Sequence, residues 1–451
     1  MRKIFSYVLL ILLLLLLSIF GVLSTTGIKT EKFNEIISKK INQSNNSLNL
    51  ELKKIKFKID KKKLSLFLET TKPSIKYKNV SIPADNIKVY VDFLSIFKTS
   101  PNIKKINVNF VELEIDQIKN FSSLLKPSNF KSLVNNKIKN GRIISEIEFY
   151  LDDKNQLENF IAKGTVTNLN LNVIDNIDLK KTNFNFFADK SDILIKNITS
   201  NLETIKINDG DLKITRSPEI SIQSNFFTNI IYDKNLREVF LAKLGNFDSI
   251  KDIGSLEDSL RNDLTLSFDK TYKVKNFSFK SNGDINKAYI KLSSPIKNLF
   301  IKDDINEIFF KKSKIKLDFS SEKKNINILG KYSFDEREDD LNYDINTNFF
   351  KENLIINSNF EFNHEVNIDL INYQNPKGTL AKFYVNLTKN KNNLHFKEIK
   401  LEENDNLISI GDLKIEKNRI SSFRTIKIKT KNEGKINNNF DINFGKKISI
   451  S

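Results

Sequence analysis

Apolar and polar residues follow three different rhythms along this chain. From Ile4 to Leu23, IFSYVLLILLLLLLSIFGVL, the sequence is apolar apart from Ser6, Tyr7 and Ser18 and carries no charge. About 20 such residues make a helix long enough to cross a bilayer core. Ile4, Leu10, Leu14, Leu17 and Leu23 mark the expected anchor, behind a tip of residues 1–3. A second rhythm, of 3.6 residues, puts Phe33, Ile36, Ile37 and Ile41 on one face behind a Thr30 cap, and predicts an amphipathic helix over 28–42. That helix either caps a sheet or lies on a membrane surface.

The third rhythm has a period of two and fills nearly everything else. Phe57 and Ile59, then Leu64, Leu66 and Leu68, then Ile87, Val89 and Val91 alternate with polar residues, as half-buried antiparallel strands do. Turns are expected at Lys61-Lys62-Lys63, Lys72-Pro73-Ser74, Pro83-Ala84-Asp85 and Thr99-Ser100-Pro101. Between Ile106, Val108, Phe110 and Val111, Leu113, Ile115 the apolar phase slips by one residue, which predicts a β-bulge or a change of face. Lys119 to Lys139 reads as a mixed connector. Leu236, Val239, Phe240 and Leu244, then Ile250, Ile253, Leu256 and Leu260, read as a helical hairpin, so that a helical insertion over 229–262 separates β-rich segments over 47–228 and 263–451. Strands resume with Leu264, Leu266 and Phe268, later Ile315, Leu317 and Phe319, then Val366, Ile368 and Leu370, and Phe383, Val385 and Leu387. ILIKNITSNLETIKINDGDLKI from Ile193 aligns without a gap on LHFKEIKLEENDNLISIGDLKI from Leu394, which predicts a repeat of three strands and two turns.

Two readings of the N-terminus compete. Arg2 and Lys3 before an apolar run also open a secretory signal, but this run exceeds the roughly 7–15 residues of a signal core, and Val22 to Gly27 makes a poor cleavage site. An uncleaved anchor is therefore expected. Lys29, Lys32, Lys39 and Lys40 follow it, yet long domains translocate largely regardless of charge, so export of the remainder is expected. The formal charge of +18 comes from 73 Lys+Arg against 55 Asp+Glu. Because the lysines are spread through nearly every strand-like segment, no nucleic-acid partner is expected, and no zinc-finger, helix-turn-helix or RNA-binding signature accompanies them.

The inventory of reactive side chains is thin. With two histidines, His364 and His395, and no cysteine, Ser-His-Asp, Cys-His and histidine-rich metal sites are not expected. His364 is read as a surface histidine in a strand, and Asp335-Glu336-Arg337-Glu338-Asp339-Asp340 as a solvated loop rather than a calcium site. Neither a phosphate-binding glycine loop nor a nucleophile elbow is present. Enzymatic chemistry, catalytic residues, metals and cofactors are accordingly not expected.

So many one-faced strands must bury their apolar side somewhere. Open sheets rarely exceed about 10 strands without curling or splitting, and two helical segments are too few to cover this one. Paired sandwiches or an apolar ligand must do so. The expected fold class is mainly β: an N-terminal transmembrane helix, then an elongated, lengthwise-folded antiparallel sheet forming a groove, with a few short helices. Ile87, Val89, Val91, Ile106 and Val108 are the candidate lining of that groove.

With the anchor, the short helix and LNLELKKIKFKIDKKKLSLFLETTKPSIKYKNVSIPADNIKVYVDFLSIFKTSPNIKKINVNFVELEI from Leu48 to Ile115 on the page, the chain resembles the opening of the AsmA-like superfamily, including the AsmA, YhdP and TamB types. The segments Val89 to Ile96 and Ile103 to Val108 carry most of the likeness. Gly164 to Leu169, the Gly-Asp-Leu-Lys-Ile strands and the stretch Asp233 to Arg261 are similar to the YhdP-like branch. The resemblance implies a single-pass protein of the bacterial inner membrane with its bulk in the periplasm, and an apolar groove that holds phospholipid acyl chains during transfer to the outer membrane. Members of that branch are usually much longer, and KKISIS stops within a strand pattern, so a companion bridge segment is an expected partner. Under this reading Val89→Asp with Val108→Asp blocks passage while leaving the fold. The alternative is a non-catalytic envelope scaffold or chaperone that assists outer-membrane protein assembly through exposed strand edges.

Overall fold

The computed structural model describes residues 2–30, 34, 38, 48–51, 55–60, 65–78, 80–91, 103–123, 129–154, 156–174, 177–216, 219–232, 234, 236–238, 253–269, 273–296, 304–335, 339–350, 352–391, 393–431, 437–444 and 448–450. The protein is mainly β and antiparallel, with one long apolar N-terminal helix and a few short helices. It divides into two compact units, 1–200 with 213–217, and 201–212 with 218–451. The division falls near residue 200, not at the expected insertion.

In the first unit, helix α1 (Arg2–Ser24) contains a stretch, Ser6–Ser24, with mean hydropathy 2.8 and nearly all of it exposed. Leu10, Leu14 and Leu17 are exposed, whereas Leu23 is packed. The helix ends where the Val22 carbonyl accepts the Thr25 and Gly27 N–H groups, at 3.3 and 2.9 Å, and Thr25 Oγ1 donates to the Gly21 carbonyl at 2.7 Å. Gly27 has φ +70° and sits so close to β3 (Ile55–Asp60) that a Cβ would lie 2.9 Å from the Phe57 carbonyl oxygen. The chain then runs straight into β1 (Ile28–Thr30), with Ile28 opposite Phe57. The beginning of the expected amphipathic helix is thus a strand; Asn34 and Ser38 are helical, and the rest of 28–42 lies outside the described residues.

From β3 the ladder continues through β4 (Ser65–Thr71), β6 (Val80–Val91), β7 (Ile103–Phe110), β9 (Ile138–Leu151), β10 (Leu157–Ile174) and β11 (Ile177–Ala188). The turn expected at Pro83-Ala84-Asp85 is instead the interior of β6. Val80 to Pro83 pair with β5 (Ser74–Tyr77), which pairs with β2 (Leu48–Glu51), while the later residues pair with β4 and β7. Proline has no N–H to give a ladder, and here it stands where the strand passes from one set of partners to the other. Lys72 and Pro73 do form the predicted turn, whereas 61–63 and 99–101 lie outside the described residues.

The phase slip at Phe110 and Val111 is a one-residue offset against the same neighbour. Strand β7 ends at Phe110, paired with β9 as far as Asn109 opposite Glu146, and β8 (Leu113–Glu114) resumes on β9 with Leu113 opposite Ile143, so four residues face three; a second register shift lies on the other side, between Ala84 and Asn86. Helices α2 (Ile115–Ser123) and α3 (Asn129–Lys137) fill the connector, where Ser122 Oγ hydrogen-bonds Asn135 at 2.9 Å.

In the second unit a ladder runs β14 (Ile220–Tyr232), β15 (Ile253–Phe268), β16 (Val274–Ile296), β17 (Ile305–Ser320), β18 (Lys323–Ser333), β19 (Leu341–Phe350) and β20 (Asn353–Phe362). It continues through β23 (Ala381–Asn390), β24 (Asn393–Glu403), β25 (Asn406–Glu416), β27 (Thr425–Lys431), β28 (Asn437–Phe444) and β29 (Ile448–Ile450), with β26 (Arg419–Ser422) on β25. Both ends of the expected helical insertion are strand. Strand β14 reaches Tyr232 and β15 begins at Ile253; Lys234 and Leu236 to Glu238 are helical, and the rest of 233–252 lies outside the described residues. Leu256 and Leu260 read as a helix, and Leu264 as the start of a strand, because the three are spaced by four. The intervening positions of the same strand face carry Asp258 and Asn262, which hide the period of two.

The internal repeat is a pair of hairpins, each with two strands and one turn instead of three and two. Strands β12 (Asp192–Leu202) and β13 (Ile205–Thr215) correspond to β24 and β25, and Glu203 and Asn404, equivalent in the alignment, both turn with positive φ, +53° and +50°.

Candidate functional site

The five residues predicted to line a groove do come to one face of the first unit. Ile87 pairs with Val108 and Val89 with Ile106, so alternation puts all of them, with Val91, on one side. That side is filled by the chain itself. Ile87, Val89, Val91 and Val108 are 6–8% exposed in a cluster with Ile55, Leu68 and Ile75, against which Ile106 and Ile82 pack. The crossing strand β6 and its partner β5 supply Ile82 and Ile75.

An apolar face with a different character occupies the second unit. Cross-strand register places Ile315, Ile328 and Ile345 at one level, then, beyond Ser358, Val385, Ile399 and Ile410 at the same level. Leu317, Ile326, Ile356 and Leu387 form the next row. All of these side chains are half-buried. The opposite face is polar, as shown by a shallow cleft of about 300 Å³ lined by Asn359, Lys382, Tyr384, Glu398, Lys400 and Glu402.

One end of the apolar face is closed. After Phe362 the chain leaves the ladder, forms β21 (Val366–Ile368), a 3-10 turn (Asp369–Ile371) and β22 (Tyr373–Asn375), and returns at Ala381. Val366 joins Ile305 and Phe362 in one cluster, and Tyr373 joins Ala381 and Leu401 in another. Tyr373 and Ala381 are 1% and 0% exposed. The excursion is pinned further along by Asn438, whose Nδ2 donates to the Ile371 carbonyl at 2.6 Å.

Eight strand-to-strand steps separate β17, which carries Ile305, from β28, which carries Asn438; in a flat sheet that is about 38 Å. The five residues from Val366 to Ile371 reach about 17 Å. The second ladder therefore curls around the excursion.

The other strand ends are open. The row Phe319, Lys324, Phe349, Leu354, Lys389 and Leu394 stands at that end, and Phe349 is 38% exposed, with Val274 and Ile420 exposed at the same side. Lys324 and Lys389 are exposed and take part in none of the ion pairs among the described residues.

Some buried polar groups of the second unit are partnered and others, such as the Ser281 and Ser333 hydroxyls, have no partner among the described residues. Asn262 Nδ2 donates to Thr228 Oγ1 at 3.0 Å. Asp258, 7% exposed, accepts the Ile230 N–H at 3.2 Å, and burial pushes its carboxyl up to about 6.

His364 is not a surface strand residue. It is buried in the bend before β21, edge-on to Phe334 with ring centroids 4.6 Å apart. The other histidine, His395, lies 3.4 Å from Asp412 in β25. Of the acidic stretch, Asp335, Asp339 and Asp340 lie outside the strands β18 and β19 and 336–338 lie outside the described residues; Asp340 pairs with Lys311 at 3.0 Å, and no group of three or more metal-ligating side chains occurs among the described residues. The sequence pattern predicts groove segments over both 47–228 and 263–451, but the lining residues named from it all fall in the first unit. The Asn375-Pro376-Lys377-Gly378 stretch, which interrupts the hairpin rhythm, was the available signal for the excursion.

Pairing and pattern thus define the class: a mainly antiparallel β-sheet protein bearing one N-terminal helix long and apolar enough to cross a membrane. Compared with known proteins, the chain matches no family model, no curated protein and no solved structure.

Proposed function

We propose that this chain is a non-enzymatic, membrane-anchored carrier of phospholipid acyl chains, held in the bacterial inner membrane with its bulk in the periplasm, and that it serves transfer between inner and outer membranes. The observation that carries the reading is the apolar face of the second unit, whose side chains are half-buried across successive strands while, among the described residues of that unit, none covers them except at one end. Acyl burial contributes about 0.8 kcal/mol per methylene and needs no specific polar partner, so such a face can hold a lipid and let it slide. The same chain carries a helix long and apolar enough to cross a bilayer, which is a source of acyl chains. In the first unit, by contrast, Ile87, Val89, Val91 and Val108 form a self-packed core that supports the sheet next to the anchor.

The test is lipid transfer by the full chain, anchored in donor vesicles, to acceptor vesicles carrying no protein. Ile399→Asp with Ile410→Asp, two half-buried neighbours in the middle of the face, abolishes transfer if the face is the path. Unchanged transfer in a folded double variant refutes it.

A further inference from the structure

The two ends of the second unit's apolar face differ in chemistry, and that difference gives a bound lipid a direction. At one end the excursion between Phe362 and Ala381 seals the strand ends with Val366 and Tyr373. Its closure is built in several ways: Gly378 N–H donates to the Asn363 carbonyl at 2.8 Å, Gln374 Nε2 to Glu365 at 2.8 Å, and Asn375 Nδ2 to the Thr379 carbonyl at 3.2 Å. At the other end the rows finish on exposed Phe349 and Ile420, and the same inward-facing row carries Lys324 and Lys389.

A cation on an otherwise apolar sheet face is costly unless it reaches water or an anion. Two of them stand at this open end, three strand-to-strand steps apart, or about 14 Å. Lys324 pairs across the ladder with Phe349, and Lys389 with Leu354, so each ammonium rises beside an apolar neighbour rather than from the polar face. Along β23 eight residues separate Ala381, which is sealed, from Lys389, or about 27 Å. An acyl chain that fills half of a ~30 Å hydrocarbon core fits within that length.

We propose that phospholipid binds this face with its phosphate ester at Lys324 or Lys389 and its acyl chains directed along the strands, methyl ends toward Val366 and Tyr373. The excursion is the stop, the open end is the entrance, and each lysine serves a separate lipid. This orientation rests on the acyl-carrier reading of the same face. It adds a substrate class, an amphiphile with a phosphate ester in its headgroup, which apolar burial alone does not select.

The full chain in membranes is exposed to two phosphatidylethanolamine probes, one with a diazirine at the acyl terminus and one with a diazirine beside the ester. After photolysis the adducts are mapped by peptide mass spectrometry. Terminal-probe adducts are expected on the half-buried residues beside the seal, Ile371, Phe383 and Ile408, and ester-probe adducts on Phe349, Leu354 and Leu394. A reversed pattern, or the same distribution for both probes, overturns the orientation while leaving the carrier reading standing. No adduct in the second unit with either probe overturns both.

Lys324→Gln with Lys389→Gln provides a second arm. These side chains are exposed, so the fold is retained. The variant is expected to lose phosphatidylethanolamine adducts several-fold while keeping those of a diacylglycerol diazirine probe, which has no phosphate. Equal yields of both adducts in variant and parent overturn the assignment of the lysines.

Discussion

Lys105 Nζ lies 3.2 Å from Glu148 Oε1, on the face of the first unit's sheet opposite the apolar cluster. The ammonium also stands over the Tyr90 ring, 4.4 Å from its centroid, and Glu148 accepts the Tyr150 hydroxyl at 2.5 Å. Both charged side chains are only 10–15% exposed, so this sheet is covered on its polar side as well as its apolar one. Burial and the surrounding carboxylates push the Tyr90 phenol up to about 12. Burial opposes ionisation of Glu148, but the hydrogen bonds from Tyr150 and Lys105 outweigh it and hold its carboxyl below the ordinary value of 4.5.

Lys105→Ala therefore leaves a buried carboxylate without its cation and is expected to cost about 3–5 kcal/mol. The parent draws stability from Glu148 above the ordinary carboxylate pKa and loses it as pH falls through the lowered folded value. Chemical denaturation followed at several pH values checks both: the variant's loss is large at neutral pH and shrinks in acid. An equal loss at all pH values would show that packing of the lysine stem, not the ion pair, matters.

Val89→Asp with Val108→Asp is a destabilising pair, not a transport block in an intact fold. Both side chains are 7–8% exposed inside the same cluster, and an unpaired carboxylate there either stays neutral or opens the core. Limited proteolysis of the full chain is expected to cut the first unit of the double variant at protease levels that leave the parent whole.

Asp258→Asn raises stability at pH 8 and removes a pH dependence. The native carboxyl titrates at about 6 in the fold against 3.8 unperturbed, so its stabilising contribution is full below about 3.8 and is lost as pH rises through about 6. The cost of ionising it is about 3 kcal/mol. Hydrogen exchange at the amides of β14 and β15, compared between pH 5 and pH 8, should slow in the variant at both, and more at the higher pH. Equal protection in parent and variant at pH 8 would refute the assignment.

Tyr373→Ala empties a site that is 1% exposed between the excursion and Ala381. Large-to-small changes at aromatic core positions cost about 3–5 kcal/mol. Faster hydrogen exchange across 363–380, with little change in the first unit, is the expected signature.

Leu14→Arg tests the anchor. A charged residue at the centre of a membrane helix costs about 2.5–3.5 kcal/mol on the insertion scale, and the variant is expected to shift from the carbonate-resistant membrane fraction to the soluble or degraded pool. Continued resistance to carbonate would mean that another part of the chain holds the membrane.

Much of this architecture is written in local pattern. The charge-free run of α1 and the alternation of Leu317 with Asp318 and of Val385 with Asn386 determined a membrane-competent helix and antiparallel strands, because helix length and a period of two depend only on neighbours in the chain. Tertiary structure decided which apolar faces are free. Ile87 and Ile399 look alike in sequence, yet one is covered by Ile75 and Ile82 from a strand that changes partners at Pro83, and the other faces only half-buried neighbours. It also turned Ile253 to Leu260 from apparent helix into the first half of a strand that runs on through Leu264, because Asp258 and Asn262 find their hydrogen-bond partners, the Ile230 N–H and Thr228, on the adjacent strand. A buried polar residue is paid for by a partner distant in sequence, and no reading of a single segment contains that partner.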